Sequence, residues 1–199
     1  MSLFSLVVTE GLLEIPVAQK MLTDLGIKHE ETRFVSKRGT SAFWRDAMKY
    51  NNAAQYAGPV LAVADLEQFQ CPSGLITQYL PHGRHPLFIL RIAERMLEAW
   101  LLADRDAIAS FLRVSADRVP NDPDMLRNPK QDLVNLARQS RKRGVLEDIV
   151  PTRGSSGIVG RGYMSQMTEF IRISWRPRKA SANSDSLRRA LAAIRSAAA

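Results

Sequence analysis

The chain is poor in the residues that form disulfides and zinc sites. Its 199 residues include a single cysteine, Cys71, and three histidines. One cysteine excludes an internal disulfide and a cysteine-based zinc site, and three histidines argue against an all-histidine metal site. We therefore expect a protein of the reducing cytoplasm whose chemistry rests on other side chains.

Long apolar runs are missing as well. The run from Leu3 to Val8 has no basic leader, is too short for the core of a signal peptide, and is soon followed by Glu10. No stretch of the sequence approaches the ~20 consecutive apolar residues that a membrane-spanning helix needs. The sequence therefore predicts neither export nor membrane insertion.

Internal repeats and nucleotide-binding glycine motifs are absent too. Residues 152–162 carry four glycines, but they lack the Lys-Ser/Thr pair of a Walker A loop and the glycine spacing of a dinucleotide fingerprint. Glycine permits mobility and close approach of the backbone. We expect a plain flexible loop here, with closure over a substrate as the alternative.

The charge of the chain is divided between its two parts. Residues 1–126 hold 13 Lys/Arg and 15 Asp/Glu, a net −2, whereas residues 127–199 hold 15 Lys/Arg and 5 Asp/Glu, a net +10. A basic region of this density is typical of contact with phosphate backbones, although basic surfaces also serve solubility or bind an acidic protein.

Strand-like and helix-like patterns alternate through the first half of the chain. The clearest strand is Val60–Ala64, five apolar residues in a row, as in a strand buried on both faces of a parallel sheet. Further strands are predicted at residues 3–9, 27–35 and 86–92, with helical patterns between them. This alternation predicts an α/β fold, a three-layer sandwich around a mostly parallel sheet of about four strands.

A loop separates this part from a more basic one. Residues 119–129 contain three prolines and two asparagines, and such clusters mark breaks between elements. Helical patterns dominate afterwards, beginning with a helix from Pro129 to about Arg143. We predict an α/β core at residues 1–118 and a basic, mainly helical extension at residues 119–199 that packs on the core.

Carboxylates follow two of the predicted strands. Asp65 ends the Val60–Ala64 run and Glu67 lies two residues further on, so both side chains point to the same side if the chain is still extended there. Glu10 follows the first strand, and the carboxyl ends of parallel strands share one edge of the sheet. Carboxylate oxygens in such a group suit Mg²⁺ or Mn²⁺. The alternative is that Asp65 only forms a turn or caps the next helix.

A second acidic pair lies in a segment that we predict to be helical, residues 93–102. Glu94 and Glu98 are four residues apart, and on one helical face their repulsion costs about 0.2–0.5 kcal/mol unless a cation or a base offsets it. The pair is either functional or part of a solvated face near Arg91 and Arg95.

The acidic pattern resembles that of a known fold. A Glu after the first strand and two acids after the third resemble the Toprim fold, in which the second motif is usually Asp-x-Asp; here Glu67 takes the second place and lengthens one ligand arm. The run Glu94–Asp104, ERMLEAWLLAD, followed by Asn128-Pro-Lys130, is similar to the bacterial family DUF4276. That family is similar to Toprim proteins and to nuclease subunits of phage-defence systems, and the resemblance covers most of the chain.

The resemblance implies roles for individual residues. Asp65 and Glu67 would hold Mg²⁺ or Mn²⁺, Glu10 would act as base, acid or further ligand, and Glu98 would be an outer member of the site. A Toprim-like core is the fold that it implies.

Charge and position, without the resemblance, mark the basic candidates Lys130, Arg141 and Lys142 for contacts to phosphate.

Three functions fit the acidic and basic candidate residues. The first is a metal-dependent nuclease acting on DNA or RNA, as the effector subunit of a bacterial defence system with an ABC- or AAA-type ATPase partner. The second is a non-catalytic subunit that binds such an ATPase or nucleic acid, and the third is a phosphotransfer enzyme acting on a nucleotide.

Overall fold

Four short strands form one parallel sheet at the centre of the molecule. The computed structural model describes residues 3–198. Its strands are β1 (Leu6–Thr9), β2 (Arg33–Ser36), β3 (Val60–Asp65) and β4 (Phe88–Ala93). Their order is β2-β1-β3-β4, and every pairing is parallel. β3 lies inside the sheet with five fully buried residues, which explains the absence of polar alternation in its sequence.

Helices cover both faces of this sheet. They are α1 (Glu14–Asp24), α2 (Thr40–Ala57), α3 (Pro72–Tyr79), α4 (Glu98–Leu102), α5 (Arg105–Leu112), α6 (Pro129–Ala137), α7 (Arg143–Ile149), α8 (Tyr163–Ile173), α9 (Pro177–Ala180) and α10 (Asp185–Ser196). α2 and α3 pack with Ala62 and Ala64 on one face, whereas α1 and the later helices pack with Leu61 and Val63 on the other. The predicted three-layer α/β fold is confirmed.

The C-terminal helices share the larger hydrophobic core with the sheet. Trp100 of α4 and Trp175, which follows α8, are both fully buried, and the Trp175 indole N–H donates to the Trp100 carbonyl at 3.0 Å. Asp104 accepts a bidentate pair of hydrogen bonds from Arg176, at 2.6 and 2.9 Å. One core therefore runs across residue 118, and the division there stays a prediction.

Two predicted helices are wrong in extent. β4 continues to Ala93, and a turn with Arg95 in the left-handed region (φ 59°) precedes α4, so residues 93–102 are helical only from Glu98. The helix predicted from Pro129 to Arg143 ends at Ala137. There the Ser140 hydroxyl oxygen accepts the Lys142 N–H at 3.0 Å, a local bond that competes with helical pairing.

The described helices include none that is both long and apolar enough to cross a bilayer.

Candidate active site

Glu10 and Asp65 meet at the carboxyl edge of the sheet, as predicted. Glu10 directly follows β1, and its N–H donates to the Val63 carbonyl at 3.1 Å, so the pairing of β1 with β3 continues one residue beyond the strand. Asp65 is the last residue of β3, and its N–H donates to Glu10 Oε2 at 3.3 Å. The parallel register thus brings two acids together from positions 55 residues apart.

Glu67 reaches the same place by a different route from the one that we predicted. β3 ends at Asp65, and Glu67 has left-handed backbone (φ 51°) with its N–H bonded to the Arg95 carbonyl at 2.7 Å. The alternation argument for Asp65 and Glu67 is therefore wrong, because the chain is no longer extended. The Glu67 side chain still turns inward, where the Thr40 hydroxyl lies 3.0 Å from its Oε1 and 2.5 Å from Glu10 Oε1.

Glu98 enters the site from α4 and is only 2% exposed. The Tyr163 hydroxyl donates to its Oε1 at 2.7 Å, and the Lys130 ammonium lies 3.4 Å from the same oxygen. Its other oxygen, Oε2, is buried without a hydrogen-bond partner. A buried carboxylate oxygen in this condition loses its hydration without replacement, which costs free energy unless a proton or a cation joins it.

Glu94 does not share a helical face with Glu98. It lies in the turn before α4 and lines a separate small cavity with Arg91 and Arg189. The premise of a helical acidic pair is therefore wrong, because the turn at Arg95 rotates the two side chains to different surroundings.

Glu14 is a site residue that sequence reasoning missed. It begins α1, is 6% exposed and points into the same cavity. A Cβ atom on Gly11 would lie 2.7 Å from Glu14 Oε2, so the carboxylate keeps its present position only beside a glycine. The sequence signal that could have identified Glu14 is its position four residues after Glu10, with Gly11 between them in a turn that precedes a helix.

These acids line one cavity of about 210 Å³. Its charged and hydroxyl-bearing walls are Glu10, Glu14, Asp65, Glu67, Glu98, Lys130 and Tyr163. Five carboxylates therefore face one ammonium group. The cavity holds a negative surplus that the described side chains do not neutralise.

Burial and mutual repulsion change the acidity of this group. Burial raises the pKa of Glu14 to about 7, with further contributions from the charges of Glu10 and Glu98. Burial, and then the charges of Glu14, Glu98 and Glu10, raise the pKa of Asp65 well above its ordinary value. The pKa of Glu10 is raised by burial in the same direction, although the Thr40 hydrogen bond opposes it. The site therefore binds protons more readily than separate carboxylates do.

Two neighbours of these acids also have raised pKa values, for different reasons. Burial lowers the pKa of Lys130, but the charges of Glu98, Asp65 and Glu14 outweigh burial and raise it overall. Burial, followed by the charge of Glu98, raises the pKa of Tyr163 well above its ordinary value, so this hydroxyl keeps its proton and donates. Lys130 is thus a permanent cation at the wall of the cavity, and Tyr163 a permanent donor.

The position of Tyr163 depends on the glycine-rich segment. The Gly162 N–H donates to the Asp148 carbonyl at 3.0 Å, and the Gly160 N–H donates to the Ile149 carbonyl at 2.8 Å. A Cβ atom on Gly160 would lie 2.2 Å from the Asp148 carbonyl oxygen. This half of the segment is packed against α7 rather than extended into solvent, and it delivers Tyr163 to Glu98.

The donor set fits a hard divalent cation in its chemistry. Carboxylate oxygens are the ligands that Mg²⁺ and Mn²⁺ prefer, and Glu98 Oε2 is buried without a partner. The arrangement is not a ready-made cage, since residues 3–198 contain no group of three or more His, Cys, Asp or Glu already placed to hold a metal ion. Occupancy would therefore require the carboxylates to draw together around the ion.

Two of the three basic candidates lie elsewhere. Lys130 lines the acidic cavity, but Arg141 lines a different cavity beyond the end of α6. The Lys142 ammonium lies 5.6 Å from the centre of the Phe111 ring. The break in the predicted helix after Ala137 separates Arg141 and Lys142 from Lys130.

Comparison with protein-family models, with curated proteins and with solved structures finds no match to this chain.

Proposed function

We propose that this chain is a metal-dependent phosphodiester-cleaving protein that acts on DNA or RNA with Mg²⁺ or Mn²⁺. The observation that carries the proposal is the meeting of five carboxylates and one lysine in a single cavity at the carboxyl edge of a parallel sheet, where sites of α/β proteins form. The likeness to Toprim proteins and to DUF4276 adds that the chain is the effector subunit of a bacterial defence system with an ABC- or AAA-type ATPase partner.

The residues divide the work of such a site. A bound divalent ion would polarise the phosphoryl group and lower the pKa of a bound water. Asp65, Glu67 and Glu98 supply carboxylate oxygens, and the unpartnered Glu98 Oε2 faces no competing hydrogen bond. Glu10, held by Thr40 and the Asp65 N–H, is placed to accept a proton. Lys130 offers a positive charge to a substrate phosphate.

The runner-up is a non-catalytic subunit that binds an ATPase partner or nucleic acid. A specific observation favours it: Glu98 already has the Tyr163 hydroxyl and the Lys130 ammonium as neighbours, so part of the acidic group is satisfied by the protein itself. In that case the raised pKa of Glu14 and of Asp65 means that protons neutralise the remainder.

Metal binding and nucleic-acid cleavage by the purified full chain separate the two functions. The wild type should bind Mn²⁺ in calorimetry, gain thermal stability with Mg²⁺ or Mn²⁺, and cleave DNA or RNA. Asp65→Asn should lose cleavage and bind metal more weakly, whereas the matched variant Asp106→Asn, at an exposed position of α5, should behave as wild type. Absence of metal binding together with strong destabilisation of Asp65→Asn would establish the non-catalytic function instead.

A further inference from the structure

A second cavity, lined by arginines, lies beyond the C-terminal end of α6. It has a volume of about 410 Å³ and is lined by Arg113, Val114, Ser115, Arg118, Gln139 and Arg141. Its walls come from two segments: residues 113–118, which run from the end of α5 through the 3-10 turn Ala116–Arg118, and the link between α6 and α7. Arg113 and Arg118 are neighbours in sequence, and tertiary structure brings Arg141 to them.

The positive charge of this cavity has no acidic counterpart. Arg113, Arg118 and Arg141 are exposed, and none of them forms an ion pair within residues 3–198. The acid nearest in sequence, Asp117, accepts a hydrogen bond from the Ser115 hydroxyl at 3.3 Å instead. Elsewhere in the chain Arg176 is paired with Asp104. The three cavity arginines thus keep their charge available for an external anion.

Local contacts of the backbone at Arg113 and of the Arg118 side chain determine how these two arginines face the cavity. Arg113 closes α5 in the left-handed region (φ 53°), with its N–H bonded to the Ala109 and Ser110 carbonyls, which turns the chain sharply at this point. The Arg118 guanidinium donates to Gln139 Oε1, so the amide nitrogen of Gln139 is left as a donor. The cavity therefore presents N–H donors and no acceptor of comparable strength, which suits an anion.

Phosphate is the anion that matches this wall best. Guanidinium groups bind phosphate oxygens in a bidentate manner, and several of them converging on one opening match a group with more than one charged oxygen. Lys142, whose ammonium rests over the Phe111 ring, extends the positive surface next to Arg141. The region that supplies Gln139 and Arg141 belongs to residues 127–199, with their net charge of +10.

The two cavities lie near opposite ends of one short helix. Lys130, in the first turn of α6, lines the acidic cavity, and Gln139, two residues beyond its last residue Ala137, lines the arginine cavity. Between Lys130 and Ala137 the helix rises by about 10 Å, at about 1.5 Å per residue. Since phosphates of one DNA strand follow each other at about 3.4 Å along the axis, an anion that reaches both cavities carries several phosphates, as a nucleic-acid strand does.

We propose that the arginine cavity binds the phosphodiester backbone of a nucleic-acid strand, several nucleotides away from the acidic cavity. Binding here needs neither the metal nor hydrolysis. The proposal is therefore independent of cleavage, and a chain that cuts nothing would still bind nucleic acid through these arginines.

Binding of a labelled oligonucleotide long enough to span both cavities tests this proposal. The full chain is titrated at several salt concentrations without divalent metal, and fluorescence anisotropy gives the affinity. The test variant combines R113Q, R118Q and R141Q. The control combines R33Q, K49Q and R195Q, exposed cations at other places, so that both lose the same net charge. We expect the test variant to bind roughly tenfold or more weakly and its salt slope to fall by about one for each lost contact.

Two results would overturn the proposal. The first is an equal loss of affinity in the test variant and the control, because the effect would then come from net charge alone. The second is binding of polyglutamate with the same dependence on the three arginines and with greater affinity than nucleic acid, which would assign the cavity to an acidic protein. Arg141→Glu, compared with Arg195→Glu as the control of equal charge, gives the same test with single substitutions, because no hydrogen bond or ion pair holds the Arg141 side chain within residues 3–198.

Discussion

The two ends of α6 carry opposite chemistry. Around Lys130 the side chains are buried, acidic and crowded, whereas around Gln139 and Arg141 they are exposed, basic and without carboxylate partners. Crowded buried charges repel and take up protons, but exposed charges of one sign are screened by water and salt. The acidic cavity therefore suits a reaction at a single group, and the arginine cavity suits the binding of a longer anion.

The largest effect is expected for Asp65→Asn, which should abolish most cleavage but leave nucleic-acid binding nearly unchanged. Asp65→Asn removes a charged ligand from the acidic cavity, so cleavage should fall by between about 10²- and 10⁴-fold. Affinity for an uncleaved oligonucleotide should stay within about threefold of wild type, because the arginine cavity is untouched. Single-turnover cleavage and anisotropy titrations, made on the same preparation, measure both.

Glu10→Gln and Asp65→Asn should differ in how their cleavage responds to added metal. The substitution keeps the shape of the side chain but removes a base, so the loss of cleavage should persist at saturating Mn²⁺. Asp65→Asn, which weakens a ligand, should recover in part as Mn²⁺ rises. Equal responses of the two variants to added metal would contradict this division of roles.

Glu14 should make the stability of the acidic end depend on pH. Glu14 has a folded-state pKa of about 7 against an ordinary 4.5. Since the raised pKa makes the folded state the better proton binder, its contribution is fully present below about pH 4.5 and is lost as pH rises through 7. Glu14→Gln should therefore gain stability relative to wild type across that interval, by at most about 3 kcal/mol near pH 8.

Urea unfolding of wild type and Glu14→Gln at several pH values, without metal, measures this difference. The arginine-cavity triple variant should show no such divergence, because guanidinium groups do not titrate in this range. A constant offset between wild type and Glu14→Gln from pH 4 to 8 would mean that Glu14 is not the group that titrates.

Gly11→Ala tests the packing of the acidic end. The added Cβ would lie 2.7 Å from Glu14 Oε2, so the carboxylate has to move; since it is the end of a flexible side chain, we expect a loss of stability of about 1 kcal/mol, the lower end of the cost of overpacking. In the double variant Gly11→Ala/Glu14→Ala the clash is absent, so the two changes should not be additive. Gly144→Ala is the matched control, because a Cβ there meets nothing within 4 Å; thermal or urea unfolding compares all three.

The smallest expected effect belongs to the exposed basic end. Lys142→Gln removes a cation from above the Phe111 ring, and an exposed contact of this kind contributes about 0.5–1 kcal/mol at most. Stability should change by that amount or less, while the salt slope of oligonucleotide binding falls by about one. A change of stability without a change of slope would place Lys142 outside the binding surface.

Much of the fold could be predicted because local patterns and burial agree. The apolar run of β3 and the alternation of strands and helices led to the parallel α/β sheet, and the rule that parallel strands end at one edge placed Glu10 beside Asp65. The predicted ends of helices were wrong where tertiary contacts override the local preference of the sequence. The turn at Arg95, which bonds its carbonyl to the Glu67 N–H, interrupts a segment with good helical spacing.

Some residues of the acidic cavity could not be predicted from sequence, because folding brings them together from distant positions. No sequence pattern singled out Glu14, and only the fold places its buried carboxylate beside Gly11 and within reach of the charges of Glu10 and Glu98. Tyr163 reaches Glu98 across 65 residues of sequence because Gly162 docks on Asp148. No local pattern encodes these distances.

The layer architecture, the division of charge and the meeting of Glu10 with Asp65 could be predicted from sequence, because the hydrophobic period is local and the alternation of strands with helices implies parallel strands that end at one edge. Which of the remaining charges face one another depends on the folded chain. Lys130 went to the acids and Arg141 away from them because α6 ends at Ala137, and a helix end a few residues earlier or later redirects every side chain that follows it.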